Sequence, residues 1–256
     1  MTPQVRQAKI ANIIRKKKKA TVNELAEILK ISRETIRRDL SALAKAGKVQ
    51  KFHGGAALPM TTQEGPFNER MGDNVNAKIQ VASAAARIIS PGETVLIDSG
   101  STSLYFAEKM AEIPGLTVVT NSADIARIIS LSPGKSRAFL LGGEFAPDNR
   151  QTLGNFAISQ VQLFRAHHAV LTISALDVHT GVMDYAIEEA QIAQAMIEQA
   201  ETLTIIADHS KFDRIASFKV CALERITHLI CDRPPSDKLR KALDEAHVNI
   251  ICVNEE

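Results

Sequence analysis

Apolar residues recur at helical spacing through the first fifty positions and then regroup into short aliphatic runs, which predicts two architectures in succession. Val5, Ala8, Ile10, Ile13 and Ile14 form the stripe of a helix over 3–19. A second helix, 21–29, has Thr21 and Glu24 at capping-box spacing and a stripe of Val22, Leu25, Ala26 and Leu29. A third, 32–47, opens on Ser32 as N-cap and closes on Gly47 as the left-handed C-terminal residue. Its stripe is Ile36, Leu40 and Leu43, at i, i+4 and i+7. Lys30 and Ile31 alone separate the last two helices, which leaves room only for a helix-turn-helix corner. Residues 49–57 then alternate and turn at Gly54-Gly55, as a small β wing does. The whole predicts a winged helix-turn-helix over 1–57.

Beyond it the periodicity breaks. Pro59, Gly65, Pro66 and Gly72 interrupt residues 58–76, which read as a linker. From Ala77 on, predicted helices (77–89, 103–112, 122–130, 187–200, 236–246) fall among buried strands at 94–98, 116–120, 138–141, 169–174, 203–208, 228–231 and 249–253. That alternation predicts an α/β fold over 77–256, Rossmann-like, with a mainly parallel sheet.

Charge sharpens this division. Residues 1–57 hold 14 Lys/Arg against 4 Asp/Glu, leaving 17 against 25 for the remainder, although the whole chain is only +2. A basic head on an acidic body is the footprint of a polyanion-binding module. The three cysteines, Cys221, Cys231 and Cys252, are far apart and flanked by aliphatic residues, so buried reduced thiols are expected and neither metal nor cofactor. Without a signal-type or membrane-length apolar run, the expected location is cytoplasmic, with no membrane partner.

On the third helix the exposed face should carry Glu34, Arg37, Arg38, Ser41 and Lys45, whose guanidinium and hydroxyl groups suit base edges and phosphates. Arg33 and Thr35 join them, with Thr21 and Ser32 at the two helix starts and Lys51 and His53 on the wing. The run Arg15–Lys19 reads equally as a solvated helix end or as a phosphate contact. DNA sites read this way usually match the symmetry of the protein, so a homodimer or homotetramer on operator double-stranded DNA is expected.

In the α/β part, ligands belong beyond the carboxyl ends of the strands. Asp98-Ser99-Gly100-Ser101-Thr102 follows the first strand and leads into a helix, where free amides and hydroxyls suit a phosphate; an ordinary capped turn would look the same. Asn121, Gly142-Gly143, Asp177 and Asp208-His209-Ser210-Lys211 also follow predicted strands, and Glu188 opens a helix. Lys211 is the sharpest single candidate for an anion, beside Asp208. His167-His168, at a strand start, receive no role.

Thr35-Ile36-Arg37-Arg38-Asp39-Leu40 followed by His53-Gly54-Gly55-Ala56 resembles the DeoR family of bacterial sugar-metabolism regulators, and Ala57-Leu58-Pro59 its glycerol-phosphate repressor branch. The resemblance implies an effector domain similar to ribose-5-phosphate isomerase. It matches 98–102 to a phosphate loop, 208–212 to a late family motif and Glu188-Glu189-Ala190 to a helix start. It also places Phe67 and Arg70 in a linker segment, part of which is then expected to be ordered against one domain, and Met183-Asp184-Tyr185 where sugar choice varies. What it implies is a repressor of carbohydrate catabolism released by a phosphorylated sugar or polyol. The alternative is a sugar-phosphate isomerase with an accessory DNA-binding domain, with Glu188 as base and Lys211 as its electrostatic partner. The chain lacks the Asp-Gly-Ala-Asp-Glu segment and the Lys-Gly-rich loop that the isomerases use, which favours the regulator.

Overall fold

The computed structural model describes residues 3–17, 19–45, 49–52, 54–57 and 65–254. The chain divides into two compact units, Met1–Thr62 and Gln63–Glu256. The first unit runs α1 (Pro3–Lys17), β1 (Lys19–Thr21), α2 (Val22–Leu29), α3 (Arg33–Lys45), β2 (Gln50–Phe52) and β3 (Gly55–Ala57). Ile10, Ile14, Leu25, Ile36 and Leu40 form its core, so the helical stripes face one another. The capping box is present: Thr21 N donates to Glu24 Oε2 at 2.7 Å and Glu24 N to Thr21 Oγ1 at 3.2 Å. Lys30 turns the corner at φ 54°, and Ser32 Oγ accepts from Thr35 N at 3.3 Å. The Gly47 cap expected from sequence lies outside the described residues.

One boundary differs from expectation. The first helix stops at Lys17, and Lys19–Thr21 instead pairs with β3, giving a three-stranded antiparallel wing of order β1-β3-β2. The reason is Ala20, buried against Ala56, which a helical continuation would expose. The strands approach so closely at Gly55 that a Cβ there would lie 2.4 Å from the Ala20 carbonyl oxygen.

Asp39 is the buried charge of this unit. On the inner side of α3, it accepts from both Arg6 Nε and Arg6 Nη2, and from Gln7 Nε2 at 3.1 Å. Removing one partner of such a tie strands the other without its counter-charge. Asp39→Ala is therefore expected to lower the melting temperature of the first unit, followed by circular dichroism, while Ser41→Ala on the outer side leaves it unchanged. An unaltered Asp39→Ala melt would remove this tie from the account.

The second unit runs α4 (Phe67–Gly72), α5 (Val75–Ala86), β4 (Thr94–Ile97), α6 (Ser101–Met110), β5 (Thr117–Thr120), α7 (Ala123–Ser130) and β6 (Arg137–Leu140). It continues through β7 (Glu144–Ala146), β8 (Gln151–Leu153), α8 (Asn155–Val161), β9 (Ala166–Leu171), β10 (Ala175–Asp177), β11 (Gly181–Asp184) and α9 (Ile187–Glu198). It ends with β12 (Ala200–Ala207), β13 (Phe218–Cys221), β14 (His228–Cys231), α10 (Asp237–Glu245) and β15 (Asn249–Cys252).

Seven strands form a parallel sheet of order β15-β14-β12-β9-β4-β5-β6. Alternate residues feed two cores: Val95 and Ile97 pack towards α5 and α6, Leu96 and Val119 towards α8 and α9. That two-sided burial is what near-continuous aliphatic strands require. The chain moves from β4 outward through β5 and β6, then returns to the other side of β4 as β9. The loops after β4 and β9 therefore diverge, leaving a crevice at their carboxyl ends.

Three features correct the sequence reading. Residues 67–72, inside the expected linker, form α4, because Phe67 buries its ring and pulls the segment onto the second unit. The hairpin β7–β8 and the antiparallel sheet β10-β11-β13 were not foreseen, since strands of three or four residues give too little periodicity. β9 begins at Ala166 and takes up both histidines, with His168 Nε2 3.0 Å from Glu93 Oε2 at the amino end of the sheet. Cys221 and Cys231 are buried and Cys252 is only partly so; burial pushes the Cys221 thiol up to about 12. Among the described residues no helix is long and apolar enough to cross a membrane.

Candidate functional site

The stripe that buries α3 leaves its opposite face in solvent, with the Arg37 and Arg38 side chains 65% and 81% exposed. Both guanidinium groups stand 3.8 Å from Glu34, a spacing that orients them weakly and leaves their donors to a ligand. Ser41 Oγ donates to Arg37 O, and Lys51 Nζ of the wing donates to Ser41 Oγ at 3.0 Å, so wing and helix share one cationic surface. Arg33 is also exposed at the start of α3. Thr21 and Ser32 are occupied in capping α2 and α3, and Ser32 Oγ also meets Thr35 Oγ1 at 2.9 Å. His53 and the side chain of Lys45 lie outside the described residues. Of Arg15–Lys19, the side chains of Lys17 and Lys19 are described, and both are exposed.

A cleft occupies the crevice between the ends of β4 and β9. Asp98, at the end of β4, takes Thr172 N at 3.0 Å, bridging the ends of the two neighbouring strands, and Ser103 Oγ at 2.9 Å. The loop passes through Gly100 because a Cβ there would lie 2.2 Å from Thr172 Oγ1. Ser99, Ser101 and Thr102 line the cleft at the start of α6, together with Lys211, and Arg70 enters from α4. Facing these donors are Asn121, Asp184 and Glu189. Asn121 is fully buried; its Nδ2 serves Gln151 and Thr152, while its Oδ1 has no hydrogen-bond partner among the described residues. The cleft spans about 530 Å³, the part open to solvent included.

Burial dominates the electrostatics. It pushes Asp98 up to about 8, with Asp184 adding to the effect, against the donors of Thr172 and Ser103 that favour the charged form. At Asp208 burial also opposes the charge, but hydrogen bonds from Ser210 and the cations of Lys211 and Lys78 outweigh it and hold the carboxyl below its usual range. Because the folded value of Asp98 lies above that of the open chain, its protonated form favours the fold. That contribution is present in full below about pH 4 and is lost as pH rises through about 8. Stability should therefore fall between pH 5 and 8 at up to about 1.4 kcal/mol per unit. Asp98→Asn should flatten that part of the denaturant-midpoint profile; an unchanged slope would assign it to other groups.

The structure brings Asp98, Ser99, Ser101, Thr102, Asn121 and Lys211 to one cleft, with Gly100 behind them. Four other sequence candidates lie elsewhere. Gly142 N donates to Gln160 Oε1 and Gly143 sits at φ 148°, both at the base of the β7–β8 hairpin. Asp177 accepts from His179 N and Thr180 N to close a turn. Glu188 points to solvent; Glu189 takes its place, since Glu189, Ala193 and Met196 share the inner phase of α9. Asp208 supports the site from behind, capping the turn that carries Lys211 and accepting from Asn74 Nδ2 at 2.9 Å. Sequence reasoning missed Thr172 and Gln151, which no motif marks, and named Arg70 only as part of the linker, not of the site.

A winged helix-turn-helix with a cationic reading face, followed by an α/β unit with a switch-point cleft, defines a DNA-binding regulator with a sensor domain. Residues 6–62 match the DeoR-like helix-turn-helix domain and residues 73–233 the DeoR C terminal sensor domain. The chain belongs to the DeoR family of transcription regulators. It is 34% identical to the transcriptional repressor AccR of Agrobacterium fabrum strain C58, over 90% of this chain and 89% of that one. To the glycerol-3-phosphate regulon repressor of Escherichia coli strain K12 it is 27% identical, over 94% and 95%. Among solved structures, ribose 5-phosphate isomerase A from Methanocaldococcus jannaschii aligns with a TM-score of 0.40 and 14% identity, over 55% of each chain.

Proposed function

We propose that the protein represses a carbohydrate-catabolism operon in the cytoplasm and leaves its operator when a phosphorylated sugar or polyol fills the switch-point cleft. The observation that carries this reading is the division of the cleft's polar groups. Arg70, Lys211 and the hydroxyls and amides at the start of α6 suit a phosphate. Asn121 Oδ1, Asp184 and Glu189 are acceptors and suit ligand hydroxyls. The buried, unpartnered Asn121 Oδ1 favours a ligand that donates to it. Repression agrees with the names of the relatives, and a homodimer or homotetramer fits a symmetric operator. A ligand that favours one arrangement by a few kcal/mol suffices to change operator affinity many-fold. We read the cleft as a sensing site and not a catalytic one, because the relatives are named transcriptional repressors.

An operator is first selected from random duplexes by the intact protein. Its binding at fixed salt is then titrated with triose, pentose and hexose phosphates and glycerol 3-phosphate. Release by one compound, lost in Lys211→Ala, is the expected result. Tighter binding with a compound reverses the sign of regulation, and indifference to all of them removes the sensing role.

A further inference from the structure

The walls of the cleft are of two kinds. Most walls are strand ends or helices seated on the seven-stranded sheet; two are not. One is α4, a helix of six residues. The other is the β7–β8 hairpin, a separate two-stranded sheet whose strands have three residues each. The hairpin is rooted at Gly143 and Gly154, both at positive φ (148° and 87°), in conformations few other residues adopt.

These two walls hold each other across the mouth of the cleft. At the hairpin tip Asp148 Oδ2 accepts from Phe67 N at 3.3 Å, and Asn149 Oδ1 accepts from Arg70 Nη2 at 2.7 Å. The same Asn149 donates to Glu189 Oε1 at 2.7 Å, and its carbonyl accepts from Ser99 Oγ at 3.1 Å. Asn149 thus joins the phosphate loop, the acidic wall and α4, and α4 is the first described helix after the segment leading from the DNA-binding unit.

We propose that Asp148 and Asn149 form a clasp that reports occupancy of the cleft to the DNA-binding unit, an inference that rests on the sensing role proposed above. An anionic ligand takes the Arg70 guanidinium and separates it from Asn149. The hairpin tip at Asp148 and Asn149 draws back while Gln151 and Thr152 stay bonded to Asn121, the mouth of the cleft opens, and α4 loses part of its hold at the entry to the second unit. The clasped form binds operator and the open form binds ligand. Ligand affinity is then reduced by the fraction of molecules that are clasped, and breaking the clasp removes that reduction.

The test uses the intact chain with Asp148→Ala and Asn149→Ala combined, after circular dichroism confirms an unchanged fold. Without ligand, operator affinity should fall on the order of tenfold towards the ligand-bound level of the wild type. Calorimetry with the sugar phosphate that releases the wild type should show tighter binding, while the remaining change in operator affinity shrinks towards unity. Asp148→Asn keeps an acceptor for Phe67 N and should restore wild-type behaviour at that position. Wild-type operator affinity in the ligand-free double variant, or a ligand affinity that weakens with it, overturns the proposal. If no sugar phosphate binds even the wild type, the sensing role fails, and the ligand-free arm alone still decides whether the clasp governs operator binding.

Discussion

Replacing Arg37 and Arg38 together by Ala should weaken operator binding by on the order of a hundredfold or more, at about 1–3 kcal/mol for each arginine that reads a base. Both side chains lie on the exposed face of α3, so their removal costs the fold little. The comparison that matters is with random duplex at the same salt. Loss confined to the operator assigns base reading to these groups. Equal loss on both duplexes, with a shallower salt dependence, makes them phosphate contacts. Unchanged operator affinity would move the reading face away from α3 altogether.

The second large effect is at Gly100. Its backbone is extended, so conformation is not the obstacle; space is. A Cβ would stand 2.2 Å from Thr172 Oγ1 and 3.0 Å from Thr172 Cβ, and Thr172 is the residue that ties Asp98 to the end of β9. Gly100→Val must push the 98–102 loop away from β9, displacing Ser101 and Thr102. Each hydrogen bond to a charged group lost there is worth about 1.5–3 kcal/mol, so sugar-phosphate binding by Gly100→Val should fall on the order of a hundredfold. If the variant still responds at wild-type ligand concentrations, the loop after β4 does not hold the ligand.

Much of this architecture is legible in the sequence, for identifiable reasons. The helix stripes and capping box of the first unit are local signals, and the aliphatic strands of the sheet are buried on both faces and so stand out as runs. What escaped was set by tertiary contact. β1 exists because Ala20 meets Ala56 of the wing, and α4 because Phe67 finds a core after a stretch rich in glycine and proline. The cleft shows the same limit. Loops after strands located Asp98, Asn121 and Lys211, but Gly142-Gly143 follows a strand too and roots a hairpin instead. Glu188 and Glu189 differ by 100° around α9, and the inner stripe, had it been phased, selects the second.

The way α3 is held divides the labour of its residues. Its inner side fixes the helix through Ile36, Leu40 and the Asp39 tie to Arg6, while Arg37 and Arg38 stand outside that anchorage and Ser41 meets only the wing, through Lys51. Substitutions on the outer side should then change stability by no more than about 0.5 kcal/mol. A gene duplicate of this regulator could drift to a new operator one residue at a time without passing through an unstable intermediate. A code carried on the outer face would be evolvable because the foundation of the helix lies on the other side.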